Sequence, residues 1–186
     1  MVRFLIPLFL VSLVFAEDVK QSQKKTYLEV PSLLVIKRPT GWTWEKDENP
    51  PPEAKIDEFY VCKKAGKKRR GIPVISLQIR KFSLEQLRRA GGADSLVKGT
   101  MDAFENTFNQ HMEGEEKEVL FHSNEIIKKP HRVTQKAFFT TVKNSKIHLH
   151  YNFMHKSKLI TVSCVTKDKS DLALMTDVVE TIILSR

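Results

Sequence analysis

The sequence predicts an α+β fold, an antiparallel sheet of about six strands flanked by helices in an α/β/α sandwich. Three observations carry this. The apolar segments run in the order strands, helices, strands, helix. The last three strand segments are joined by short polar turns, as in an antiparallel meander. Within residues 72–82 (IPVISLQIRKF) the side chains alternate, Ile75, Leu77, Ile79 and Lys81 against Ser76, Gln78, Arg80 and Phe82, which marks a sheet buried on one side.

Each element has its own signal. Leu33-Leu34-Val35-Ile36 is an apolar run of strand length, and Pro39-Thr40-Gly41-Trp42 turns the chain after it. Trp42 and Trp44 are two apart and share a face if extended. Residues 46–53 (KDENPPPE) hold three consecutive prolines, which fit neither helix interior nor sheet ladder. Asp57–Cys62 is rich in aromatic and β-branched residues and reads as the second strand, making 72–82 the third. Ser83 and Gln86 form a capping box for a short helix that stops at Gly91-Gly92. A longer helix runs from about Asp94 to His111, with Val97, Met101, Phe104 and Phe108 as its core stripe. Val119–His122 is a strand that residues 124–129 can extend. Strands at 134–142, 147–154 and 158–166 form the meander. A last helix spans Ser170–Leu184, with Ser170 as its cap and Leu174, Val178, Val179, Ile182 and Ile183 buried.

Residues 1–16 read as a cleavable export signal. Arg3 supplies the positive start, Phe4–Phe15 the apolar core and Ala16 the small residue before Glu17-Asp18. The core falls short of the ~20 residues of a permanent span. Residues 17–27 are a polar, flexible lead-in, and 28–186 form one domain. The expected location is secreted or periplasmic. No Cys stands at the cleavage region, so lipidation there is not expected.

The chain carries a formal charge of +9, which becomes +8 without Arg3. Such an excess attracts anionic partners. It is mostly dispersed, except that Lys63, Lys64, Lys67, Lys68, Arg69 and Arg70 crowd one glycine-bounded stretch between the second and third strands. That stretch should be the tip of a hairpin. It lacks interleaved aromatics to stack on bases, and the export signal argues against nucleic acid. An anion-binding loop and a solvated turn both remain open.

Chemistry-bearing residues are few. His148 and His150 point to one face of a strand and could give two ligands to zinc or copper, but no third ligand has suitable spacing, so a metal is not expected. Cys62 and Cys164 are either one disulfide or two buried thiols. No nucleophile elbow and no Walker or Rossmann glycine pattern occurs, so the chain is read as a non-enzyme without a cofactor.

The Leu33–Ile36 strand running into Pro39-Thr40-Gly41-Trp42, the hairpin to Phe82, the central helix, the meander to Thr166 and the closing helix resemble the PsbP/DcrB-like superfamily of small exported α/β/α domains. The resemblance covers most of 28–186. It implies a binding or assembly factor, with no catalytic residue to carry over. The expectation is an exported factor that meets a protein or an anionic envelope component, with at most peripheral membrane contact. Trp42, Trp44 and Lys67–Arg70 are its candidate contacts. Binding of anionic lipid or polysaccharide is the alternative, and a metal or thiol enzyme a further one.

Overall fold

The computed structural model describes residues 26–48, 50, 56–66, 72–111, 119–129, 132–142 and 145–186. The export signal and most of the lead-in lie outside the described residues. Tyr27 already opens a strand, one residue before the domain boundary expected from sequence.

The elements are β1 (Tyr27–Val30), β2 (Leu34–Lys37), β3 (Trp42–Lys46), β4 (Glu58–Lys64), β5 (Val74–Lys81), α1 (Leu84–Arg89), α2 (Ala93–His111), β6 (Val119–Lys129), β7 (Arg132–Thr141), β8 (Lys146–His155), β9 (Lys158–Thr166), α3 (Ser170–Glu180) and β10 (Ile183–Leu184). The main sheet has seven strands in the order β3-β4-β5-β9-β8-β7-β6, against about six expected from sequence. Every neighbouring pair in it is antiparallel. A small sheet, β1-β2-β10, lies apart.

The two faces of the main sheet differ in chemistry. Toward α3 and the small sheet the register aligns Ile75, Cys164 and Leu149, then Leu77, Val162 and Tyr151, then Ile79, Ile160 and Phe153. All nine are buried and pack with Leu34, Ile36, Met175, Val178 and Val179 into one core. The period-two pattern of 72–82 therefore does what it promised: Ile75, Leu77 and Ile79 are each at 0% exposure. Toward α2, which packs across β6, β7 and β8, the face is more polar.

Local signals account for the helix limits. In α1 the Ser83 hydroxyl accepts from the Gln86 amide at 3.1 Å, and the Gln86 side chain accepts from the Ser83 amide at 2.7 Å. This reciprocal cap holds a helix with no buried residue. Gly91 and Gly92, at φ +78° and +102°, stop it before α2. Val97 of α2 is buried as expected; the side chains of Met101, Phe104 and Phe108 lie outside the described residues.

The last helix departs from expectation at both ends. Ser170 is its first residue rather than its cap, and the Asp168 carboxylate accepts from the Ser170 amide at 2.9 Å. The helix ends at Glu180, four residues early, because Ile183 and Leu184 turn to pair with β2. Its buried face is Met175, Val178 and Val179, while Leu174 and Ile183 are 37% and 68% exposed. β3 is also a true strand, where the sequence showed only a turn and a tryptophan pair.

The β8–β9 turn places Lys156 and Ser157 at φ +47° and +58°. Two consecutive positive values suit a two-residue hairpin, though neither residue is the preferred glycine or asparagine. The Lys156 ammonium compensates by donating to the carbonyls of Ser32 at 3.2 Å and Arg186 at 2.7 Å.

Candidate functional site

Trp42 is 4% exposed, so it is a core residue and not a surface contact. Trp44 is half-buried against the same core, and its indole N–H lies 3.5 Å from the Lys37 carbonyl. The pair does share a face, as the spacing required, but that face is the inner one. Apolar rings next to a core whose polar neighbours sit elsewhere gain more from burial than from solvent.

β4 and β5 pair as an antiparallel hairpin, from Glu58 opposite Ile79 to Lys63 opposite Val74. The basic run therefore belongs to the connection of that hairpin. Lys67, Lys68, Arg69 and Arg70 lie outside the described residues. Of the two cations at its root, Lys63 is engaged with Glu45 at 2.7 Å.

His148 and His150 sit side by side on the α2 face of β8. Their rings stack at 6.2 Å, and both stack on Phe139, at 4.6 and 5.4 Å. The Nδ1 of His150 is 3.0 Å from the Ser163 hydroxyl. Burial pushes His150 down to about 4, with His148 adding to the effect. Burial also lowers His148, helped by Lys146. Both imidazoles are therefore held neutral inside an aromatic stack. Among the described residues no three His, Cys, Asp or Glu side chains gather as metal ligands.

Beside the histidines runs a row of polar side chains that sequence reasoning did not single out. Gln135, at 0% exposure, accepts from the Asn152 amide at 2.7 Å, and the Thr100 hydroxyl of α2, which donates to the Val97 carbonyl at 2.6 Å, lies 3.3 Å from the same oxygen. Gln135 donates to the side-chain oxygen Oδ1 of Asn124 at 2.9 Å. Asn152 in turn accepts from Thr161. The row crosses β6, β7, β8 and β9 and ties α2 to the sheet. Its only sequence signal was amide residues inside strand segments.

Cys62 and Cys164 are free and buried. Both face the core, but each is paired across from Ile75, Cys62 on β4 and Cys164 on β9. That puts them two strand spacings apart, roughly 10 Å, beyond disulfide reach. The possible bridge is thus replaced by two buried thiols. Burial pushes both up to about 12, so they stay protonated and unreactive.

One cleft opens where β7 and β8 meet the end of α3. Arg132, Thr134, Tyr151, Phe153, Val179 and Glu180 are among the residues that line it. The cleft leaves about 10 Å³ for the centre of a water-sized group, room for about one water. The hydroxyls of Thr134 and Tyr151 are buried there without a hydrogen-bond partner. Thr176 lies near Tyr151 without completing a bond to it. Burial pushes Tyr151 up to about 12; Thr176 pulls against it, and Cys164, Glu180 and Glu125 add to the rise. The Arg132 guanidinium lies 4.7 Å from the centre of the Phe153 ring.

No family model and no curated protein matches the chain. A solved structure does: the solution structure of cyanobacterial PsbP (CyanoP) from Synechocystis sp. PCC 6803 superposes with a TM-score of 0.56. It is 16% identical, over 84% of this chain and 95% of that one. The fold is PsbP-like. The resemblance read from the early strand, the P-x-G-W turn and the order of elements thus holds for the architecture. Similarity at this identity reaches the fold and stops there. No described helix is long and apolar enough to cross a membrane.

Proposed function

We propose that this PsbP-like chain is an exported, non-enzymatic accessory factor that binds an acidic partner through the basic end of its β4–β5 hairpin. One observation carries the reading: the residues with chemical potential are consumed by packing. His148 and His150 are stacked under α2, and Cys62 and Cys164 are sealed in the core with raised pKa values. Trp42 is also spent on the core. In sequence, the connection between β4 and β5 carries a run of cations, and charge of one sign draws a partner of the other.

The test is charge reversal of Lys67, Lys68, Arg69 and Arg70 to Glu in the exported protein, followed by cross-linking and partner recovery. Loss of one acidic protein from the recovered set supports the reading. Unchanged recovery refutes it. Steeply salt-dependent binding to anionic vesicles, lost in the same variant, would move the partner from protein to lipid.

A further inference from the structure

We propose that the cleft at the end of α3 is a binding site for a carboxylate group, received by the hydroxyls of Thr134 and Tyr151 and the guanidinium of Arg132. The site stands apart from the basic hairpin. Thr134 is in register with Phe153, Phe153 with Ile160 and Ile160 with Ile79, toward the end of β5 remote from its turn with β4.

Two features point to a ligand. Thr134 and Tyr151 are 5% and 2% exposed, and both hydroxyls lack a partner. A fold seldom leaves two such groups unpaired in one place, since each costs about 1–3 kcal/mol. They also line one and the same cleft. Both hydroxyls can donate, and the high pKa of Tyr151 keeps its proton available at neutral pH.

The charges choose the group. Arg132 is half-buried with its guanidinium 4.7 Å from the centre of the Phe153 ring, and its planar fork, which Glu180 faces, can donate to a carboxylate oxygen. Beside the cleft, Lys136, 6.0 Å from the centre of the Tyr151 ring, stands opposite Glu125 in register, so Arg132 is the cation of the lining. The opposing Glu180 is exposed at the mouth, where water screens it. A carboxylate would place one oxygen between the hydroxyls and the other against Arg132. An ammonium would face Arg132 at close range and would gain only from the screened Glu180.

The probe is acetate, titrated into isotope-labelled protein at constant ionic strength and pH 7, with acetamide as the neutral control. The expected result is saturable shifts at Thr134, Tyr151 and Phe153 with a Kd near the millimolar range, and none with acetamide. Thr134→Val, Tyr151→Phe and Arg132→Gln should each weaken acetate by about tenfold or more, the worth of a hydrogen bond to a charged group. Glu180→Gln should tighten it a few-fold. The two hydroxyl variants remove unpaired groups, so thermal midpoints no lower than the parent's are expected and are measured alongside. A peptide with a free C-terminus that outbinds acetate, while its amide does not bind, assigns the site to a protein terminus; equal binding assigns it to a free small acid. The proposal is overturned if acetate fails to saturate by roughly 100 mM. Acetamide acting equally would also overturn it and leave the pair with a water. So would weaker binding in Glu180→Gln, the mark of a cation site.

Discussion

Mild acid should destabilise this protein before most of its carboxylates titrate, and His150 should be the main cause. In the folded state burial, then His148, holds His150 at about 4, against an ordinary value of 6.5. The unfolded chain therefore binds a proton at higher pH than the folded one. The stability that depends on the neutral ring is whole above pH 6.5 and is lost progressively as pH falls toward 4. Each pH unit in that window is worth about 1.4 kcal/mol, so going from 6.5 to 5 removes about 2 kcal/mol through His150. Partial contact of the ring with water trims this figure. His148, also lowered by burial and by Lys146, acts with the same sign. The assay is urea unfolding at pH 7.5 and pH 5 for the parent and for His150→Gln, whose amide can still bond Ser163. The parent should lose about 2 kcal/mol more than the variant between the two conditions. Parallel losses would refute the assignment, because they would show that this ring does not titrate against the fold.

Two further outcomes follow from the interior. Gln135→Leu should cost about 3 kcal/mol in urea unfolding, since it strands the buried Asn152 amide and cuts the link from Thr100 to the sheet; hydrogen exchange in α2 should accelerate with it. Cys62 and Cys164 should resist a thiol reagent in the native protein and react fully after denaturation. No free thiol after denaturation without reductant, in a monomeric chain, would show a bridge and overturn the registers of β4 and β9.

Much of the architecture was legible because it rests on periodicity. β5 announced itself through Ile75, Leu77 and Ile79, β9 matched its expected limits of 158–166, and the Ser83–Gln86 box formed as written. The misses have physical causes. β10 was read as helix because Ile182 and Ile183 continue a helical stripe, and only pairing with Val35 shows why Ile183 leaves it. Trp42 was offered as a contact because an aromatic after a turn looks exposed until β4 and the core close over it. The cleft was invisible for a different reason. Thr134 and Tyr151 occupy inward positions of good strands, and whether an inward hydroxyl finds a partner depends on the packing of α3, which no local pattern encodes.

The small sheet gives the domain a clasp. β2 lies between β1, its neighbour in sequence, and β10, almost 150 residues later. Around it the Ser185 amide donates to the Leu33 carbonyl at 2.9 Å, and His155 and Lys156 reach the carbonyls of Ser185 and Arg186. Synthesis from the N-terminus delivers β1 and β2 early, yet β2 keeps one bare edge until residues 183–184 arrive. The structure is thus fastened by residues 183–185. A half-made chain holds an open strand that a chaperone can recognise, and Leu184→Pro would press on the fastening itself.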